Sequence, residues 1–585
     1  MSYILLELWL NMSESNLYNE QIEDRKRYTD LIINSTARNK IVVAGAGTGK
    51  SFTFQSYLTG KEGKSLALTF INNLARDLFN DLAGIAEVHT FHGYCKSVLH
   101  KISVDGITSS FRYYPQLPKL IESDALTLAN QLSDLEKSIQ TLTDGEEIEF
   151  YLRRANYYNS VGHNDSVYRV LKYFSLNPNA IPTFTQIVVD EYQDFNLLEV
   201  EFIESLALKS PVLIAGDDDQ ALYWFKNASA DYIRKKATDG TYEKFELPFC
   251  SRCTEVIVSA IADIISKAKA LGSLENRIDK KYICFMPEKE LDSQKYPQII
   301  HASCSIQNKQ PARNYIGKYI ENEIKKIPQS EIDLAKSKNY PCVLIVGQSQ
   351  YLKQIHVYLK DKFTNIDFSE NKDDEIDILD GYKILMEDIN SNLGWRIIVE
   401  FSDTKFKEEI VEKTKLEDLI LCDLLTDNFK EKHLDVVKVL KKILNSEEIA
   451  DEETKLIKKS LALTIEEART IFKQSADNEG EIIQDDQSVS IKLSTITSCK
   501  GMSAGFVFVV GMNNGNIPRN PTNPTDNEVC QFIVALTRTR KKCYLISNRR
   551  FGITYGIRPS VFIQWINSEK IDNVVVDAAY FRNLG

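Results

Sequence analysis

Eight residues, Ala44 to Ser51 (AGAGTGKS), directly follow the apolar, β-branched run Ile41-Val42-Val43. A strand, a glycine-rich turn and a Lys-Ser pair opening a helix form the pattern of a phosphate loop. In such a loop Ala44, Gly45, Ala46, Gly47, Thr48 and Gly49 turn their backbone N–H groups inward around oxyanions. Lys50 then reaches the outer phosphate oxygens, and the Ser51 hydroxyl can ligate Mg²⁺. Ala44 stands where glycine is usual, which leaves the backbone chemistry intact. The chemistry implied is hydrolysis of a nucleoside triphosphate. A second segment, VVDEYQD (188–194), supplies what that reaction still needs. Asp190, at the carboxyl end of an apolar strand, is placed to hold Mg²⁺ directly or through water, and Glu191 can orient or deprotonate the attacking water.

Two series of buried-strand signals carry these residues. The first is IVVAG (41–45), SLALTF (65–70), TQIVVDE (185–191) and PVLIAGD (211–217). The second is PCVLIVG (341–347), KLSTITS (492–498), FVFVVGM (506–512) and KCYLIS (542–547). Both alternate with helical patterns, which predicts an α/β architecture with two doubly wound parallel sheets. Each series is interrupted by a helical insertion, and the second insertion ends in the polar acidic run 475–488, which reads as a linker. The expected organisation is a first α/β domain from 1–97 and 179–285 with an insertion at 98–178. A second follows from 286–394 and 489–585, with an insertion at 395–488.

A length of 585 residues favours roughly three or four domains. Seventy-one basic against 82 acidic residues give a net charge of −11, so any nucleic-acid contact must come from a local basic groove. Ten scattered cysteines read as reduced thiols of a cytoplasmic protein. Cys250 and Cys253 have metal-like spacing, but Cys284 and Cys304 are poorly placed to complete a site. The opening MSYILLELWL reads as a docking helix or an upstream extension, since it is acidic and lacks a basic leader. No apolar run approaches the ~20 residues that span a bilayer. The segment 150–174 interleaves Arg153, Arg154, Arg169 and Lys172 with aromatics, a pattern equally suited to tracking a phosphate backbone or to a half-buried helical face.

AGAGTGKS, DEYQD and GDDDQALYWF (216–225) together resemble the UvrD/Rep branch of superfamily 1 helicases, and further segments match in order over nearly the whole chain. The resemblance implies two RecA-like domains, ATP and Mg²⁺ as cofactors, and single-stranded or tailed duplex DNA as the partner. LYNEQ (17–21) is similar to the adenine-reading motif, which implies that Gln21 bonds the base. GDDDQ implies that Gln220 senses the γ-phosphate. LPFCSRC (247–253) and VALTRTR (534–540) imply Arg252 and Arg538 as arginine fingers, and TSCKGM (497–502) and PSVFIQWI (559–566) match two further motifs. LTFINNLA (68–75) and VHTFHGYC (88–95) resemble DNA-touching motifs, implying contacts from Phe70, Thr90 and His92. Phe225, with Tyr223 and Trp224 beside it, occupies the position of a base-stacking aromatic.

The chain departs from the family pattern at several points. Ser503 stands where a glutamate answers the nucleotide sugar, Cys250-Ser251 replace Asn-Tyr or Asn-Phe, Val529-Cys530 replace Arg-Arg, and Lys226-Asn227 replace Arg-Gly. The second insertion is smaller than in the repair helicases that the chain resembles. The hydrolytic set Lys50, Asp190, Glu191, Gln220, Arg252 and Arg538 is nevertheless complete. Two readings follow: an ATP-dependent DNA translocase or helicase, 3′ to 5′ by family resemblance, or an ATP-gated DNA-sensing subunit of an anti-phage complex that works with a partner nuclease.

Overall fold

The computed structural model describes residues 3–69, 78–102, 104, 106–128, 134–304, 313–368, 375–474, 488–551 and 554–583. Phe70 and nearly all of the linker 475–488 lie outside them.

The phosphate-loop run forms the strand Asn39–Ala44, flanked by Val212–Gly216 and Glu243–Leu247. Gln186–Val189, Ser65–Thr69 and Glu87–Thr90 complete a six-stranded sheet with only parallel pairings. Alternate side chains enter different cores, as the two-residue strand period requires. Val42, Ala44, Ala67, Val188 and Leu213 pack on one face, and Ile41, Val43, Leu66, Val189 and Ile214 on the other. Strands covered on both faces read as continuous apolar runs, which is how the central strands appear.

The second sheet has seven strands, also paired in parallel, in the order Ile366–Asp367, Ile491–Ser494, Val343–Val346, Ala504–Val510, Thr539–Asn548, Ile299–Cys304 and Ile571–Val576. The molecule is thus a mixed α/β protein with two parallel sheets and many helices. Among the described residues, no helix is long and apolar enough to cross a membrane.

Between strands two and three of the first series lie the helices Leu117–Thr127, Leu135–Gln140, Glu146–Tyr157 and His163–Leu176. The second series is interrupted by Ile378–Glu387, Asn392–Glu400, Thr404–Lys413, Asp427–Leu444, Asp451–Leu461 and Ile465–Gln474. These two helical sets share one apolar core, with Ile121, Tyr151 and Val167 from the first and Tyr382, Trp395 and Leu440 from the second. At their junction Asp124, Arg154 and Arg396 are fully buried. Arg154 Nη2 donates to Asp124 Oδ2 at 2.7 Å, and Arg396 Nε donates to Asp124 Oδ1 at 2.6 Å. Arg154 Nη1 also donates to the Thr414 carbonyl at 3.0 Å, and Arg396 Nη1 pairs with Glu400 at 2.8 Å. The aromatic-basic segment is split between core and surface: Arg154 serves this joint and Arg169 pairs with Asp165 at 2.7 Å, both buried, while the more exposed Arg153 and Lys172 pair with Glu417 at 3.4 Å and Asp144 at 3.1 Å. That arrangement favours the half-buried helical face over phosphate tracking.

Candidate functional site

The loop after Ala44 turns back through Gly47 (φ +70°) and Gly49 (φ +93°), left-handed values that a side chain resists. Gly47 has a second reason to lack a Cβ, since one would lie 2.3 Å from Arg252 Cβ. Thr48 Oγ1 donates to the Gly45 carbonyl at 2.9 Å and fixes the turn, and Lys50 and Ser51 open the helix Lys50–Leu58. Lys50 Nζ lies 3.7 Å from Glu191 Oε1. Burial opposes the Lys50 charge, but Glu191, Asp190 and Asp217 outweigh it and hold its pKa above the ordinary lysine value.

Asp190 and Glu191 follow the strand Gln186–Val189. Glu191 has φ +54°, a left-handed backbone that costs energy for a side chain of this type and is typical of functional positions. Burial and the Glu191 charge raise Asp190 above the usual carboxylate range. Burial would raise Glu191 too, but Lys50, then Lys500 and a hydrogen bond from Gln193 pull it far below that range. Neighbouring carboxylates pushed apart in this way suit different tasks. The buried carboxylate of Asp190, raised by burial, and the Ser51 hydroxyl that opens the helix after the loop are hard oxygen donors of the kind that suits Mg²⁺.

The second sheet closes over this edge. Arg538 follows the helix Asp526–Thr537, is buried, and donates from Nη2 to Gln220 Oε1 at 3.0 Å. Gln220 in turn donates to Asp217 Oδ2 at 2.5 Å. Burial, then the neighbouring Arg252 charge, lower Arg538 to about 10, which leaves it charged at neutral pH. Arg252 Nη1 donates to the Thr537 carbonyl at 3.5 Å, so the two guanidinium groups converge from different sheets. Lys500 Nζ bonds Asp194 Oδ2, donates to the Gln220 carbonyl at 2.7 Å and lies 3.5 Å from Glu191 Oε2.

Gln21 Oε1 accepts from the Met286 N–H at 3.0 Å, which docks the helix Tyr3–Asn34 beside the loop. The neighbouring pocket is lined by Arg25, Tyr28, Thr48, Gly49, Phe52 and Phe249. The remaining sequence-derived residues divide by exposure. Phe225 is 53% exposed and Trp224 61%, so both present rings to solvent. Tyr223 is buried and its ring sits 5.7 Å from Lys500 Nζ, so it offers no free face for stacking. Thr90 caps the helix Phe91–Leu99 by accepting from Gly93 N–H. His92 packs edge-on against His163 at 4.7 Å, and its Nε2 is buried without a hydrogen-bond partner. Burial, then His163 and Lys226, lower His92 to about 3, so it is neutral.

Comparison with known proteins agrees with this geometry. The UvrD/REP helicase N-terminal domain family matches residues 123–240. A probable DNA helicase II homolog of Mycoplasma genitalium is 23% identical over 92% of this chain and 86% of its own length. The ATP-dependent DNA helicase Rep of Buchnera aphidicola is 24% identical over 91% and 96%, and the DNA helicase II of Rickettsia typhi 23% over 90% and 93%. The chain resembles the UvrD-like superfamily 1 helicases over nearly its whole length.

Three residues of this UvrD-like chain escape a reading of sequence motifs. Lys500 is the first: it lies within the recognisable TSCKGM, but its partners are on the other sheet. Lys280 is the second. Asp217, Asp218 and Asp219 lie close enough together to hold a metal ion, yet Lys280 Nζ sits among them at 2.8, 2.6 and 2.8 Å. Arg277 adds a fork to Asp219 at 2.6 and 2.8 Å. Tyr282 is the third, its hydroxyl donating to the Ala46 carbonyl at 2.9 Å and its ring lying where a Gly45 Cβ would be. No spacing rule links these residues to the motifs they serve. The departure at Ser503 also finds a use, since its hydroxyl accepts from Arg540 Nε at 2.9 Å.

Proposed function

We propose that the chain is an ATP-dependent DNA translocase and helicase that moves 3′ to 5′ along single-stranded DNA in the cytoplasm. In this reading residues 1–97 with 179–285 and 286–377 with 489–585 are two RecA-like motor domains, and 98–178 and 378–488 are their insertions, the second opening before the expected 395 because Ile378–Glu387 and Asn392–Glu400 belong to the shared helical core. The observation that carries it is the pair of contacts from the second sheet to the first, Arg538 to Gln220 and Lys500 to Asp194, at the phosphate-loop edge.

Phosphoryl transfer requires charge neutralisation around the γ-phosphate and an oriented water. Lys50, Arg252 and Arg538 supply positive charge from both sides of the cleft. Glu191, held ionised by Lys50 and Lys500, accepts the proton of the attacking water. Gln220, tied to Asp217 on one side and Arg538 on the other, registers whether the γ-phosphate is present. Ser51 and Asp190 would hold Mg²⁺, which supplies further neutralisation of the phosphates when bound. Gln21 keeps its amide donor for adenine while its oxygen is used by Met286. Because the finger residues stand on different sheets, ATP binding favours the closed cleft and hydrolysis releases it. Phe225, whose ring is exposed beside Trp224, is the residue to which DNA contact is assigned, and alternate grip there converts closure into movement.

The experiment is ATP hydrolysis measured with and without single-stranded DNA, together with strand displacement on duplexes carrying a 3′ or a 5′ tail. DNA-stimulated hydrolysis with displacement from the 3′-tailed duplex alone is the expected result. Hydrolysis indifferent to DNA, or displacement from the 5′ tail, overturns it.

A further inference from the structure

Cys250 and Cys253 flank Arg252 in the turn that leads into the helix Glu255–Ala270. Two residues between cysteines ahead of a helix is the arrangement that favours a thiolate at the first sulfur and a partner thiol within bridging reach. The Cys253 N–H donates to Cys250 Sγ at 3.4 Å, and the Cys253 thiol shares its one proton between that sulfur and the Thr537 carbonyl. The Tyr282 hydroxyl lies 3.2 Å from Cys250 Sγ and 3.9 Å from Cys253 Sγ. Burial pushes the Cys250 thiol up, but these hydrogen bonds and the Arg252 N–H outweigh it and hold it down to about 6. The other nine cysteines are all pushed above the ordinary thiol value. All ten are free thiols.

The position of the pair gives it a consequence. A Cβ on Gly47 would lie 3.3 Å from Cys250 Sγ, so this sulfur underlies the phosphate loop. Ser251 N–H donates to the Gly47 carbonyl at 2.9 Å from the same turn. Cys253 Sγ donates at 3.7 Å to the Thr537 carbonyl, which also accepts from Arg252 and directly precedes Arg538. The two sulfurs therefore touch the supports of both guanidinium groups.

We propose that Cys250 and Cys253 are a reversible oxidation site, a dithiol that closes to a disulfide and disarms Arg252 and Arg538. The oxidant is a peroxide. The Cys250 thiolate attacks one oxygen of hydrogen peroxide, the O–O bond breaks, and hydroxide leaves and takes a proton from solvent, giving a sulfenic acid. Cys253 then attacks that sulfur, the S–S bond forms, the S–O bond breaks, and the departing hydroxide leaves as water with the Cys253 proton. Two thiols are oxidised and one peroxide becomes two waters. The disulfide removes the thiol donor from the Thr537 carbonyl and draws the turn that carries Arg252 away from Gly47. Both sulfurs are fully buried in this closed arrangement, so peroxide reaches them only as the cleft opens, and nucleotide that holds the cleft closed slows the reaction.

The effect on ATP turnover rests on the function proposed above, whereas the disulfide itself does not. The full-length protein is treated with hydrogen peroxide with and without a non-hydrolysable ATP analogue. Differential alkylation with peptide mass spectrometry then reads all ten cysteines while DNA-stimulated ATPase is followed. A Cys250–Cys253 disulfide is expected, formed more slowly with the analogue. ATPase should fall about 10²-fold, a fraction of the ~10³–10⁵ that an arginine finger is worth, and recover with dithiothreitol. In Cys253→Ser no disulfide is expected: Cys250 stops at a sulfenic acid that dimedone traps and dithiothreitol reduces, and only excess peroxide carries it on to the sulfinic acid that resists dithiothreitol. The proposal is overturned if the pair stays reduced while other cysteines oxidise, or if the disulfide forms and turnover is unchanged. Untreated protein without DNA-stimulated ATPase would refute the proposed function instead, and the mass spectrum would still decide the oxidation site.

Discussion

Replacing Arg396 by leucine tests whether the two helical insertions move as one body. Arg396 donates to Asp124 at 2.6 Å, both fully buried, and pairs with the partly exposed Glu400 at 2.8 Å. Removing one partner of a buried ion pair costs about 3–5 kcal/mol because the other charge is left uncompensated. Here Asp124 keeps Arg154, at 3.0 Å from Nε and 2.7 Å from Nη2, so the lower end, about 3 kcal/mol, applies. At about 1.4 kcal/mol per factor of ten, the junction should open roughly 10²-fold more often. A chain of several domains has no single unfolding free energy, so the assay is amide hydrogen exchange read helix by helix. Exchange should accelerate by that factor in both Leu117–Thr127 and Asn392–Glu400, one from each insertion, and stay unchanged in Asp526–Thr537. Acceleration confined to Asn392–Glu400 would refute the idea that the joint couples the insertions. Asp124 is also pH-sensitive in a defined direction. Burial would raise it, but Arg396 and Arg154 lower it below its ordinary 3.8, so its contribution persists above that pH and is lost only as pH falls lower.

Lys50→Ala should abolish DNA-stimulated phosphate release, and Arg538→Ala should reduce kcat by ~10³-fold or more with KM for ATP changed far less. Phe225→Ala should weaken single-stranded DNA binding by about 1–3 kcal/mol in fluorescence anisotropy, whereas the buried Tyr223, changed to Phe, should have little effect. Glu199 is raised by burial to about 8 while its hydrogen bond from Asn196 opposes the rise, so folding takes up a proton there. Its stabilising contribution is complete below its ordinary value of 4.5 and is lost as pH rises through about 8; exchange from the helix Leu197–Ala207 should quicken over that range, and Glu199→Gln should flatten the trend.

The central strands were legible because burial on both faces leaves continuous apolar runs, as in Val343–Val346 and Ala504–Val510. Two others were not. Glu243–Leu247, at the edge of the first sheet, carries two glutamates and a lysine, and Ile299–Cys304, inside the second sheet, is broken by His301. That imidazole is satisfied by Asn573 and Ser547, partners far along the chain. The same contrast holds at the site. Lys50, Asp190 and Glu191 stand in short motifs whose spacing states their chemistry, whereas Lys280, Tyr282 and the Arg154 joint depend on contacts that only the folded chain makes. The aromatic-basic segment shows the cost of reading locally. Arg154 looked as suited to a phosphate backbone as to a core until Asp124 and Arg396 enclosed it.

Lys280 fills a triad of carboxylates that is shaped for a divalent ion, and it is joined to the chain by a covalent bond. Such a charge has no dissociation constant: no chelator strips it, no competing ion replaces it, and its occupancy is the same in a starved cell and a replete one. A chelator titration of activity should therefore report a single population of exchangeable metal, the one that Ser51 and Asp190 are suited to hold, while the backbone around Asp217 to Gln220 keeps its hydrogen-exchange protection throughout.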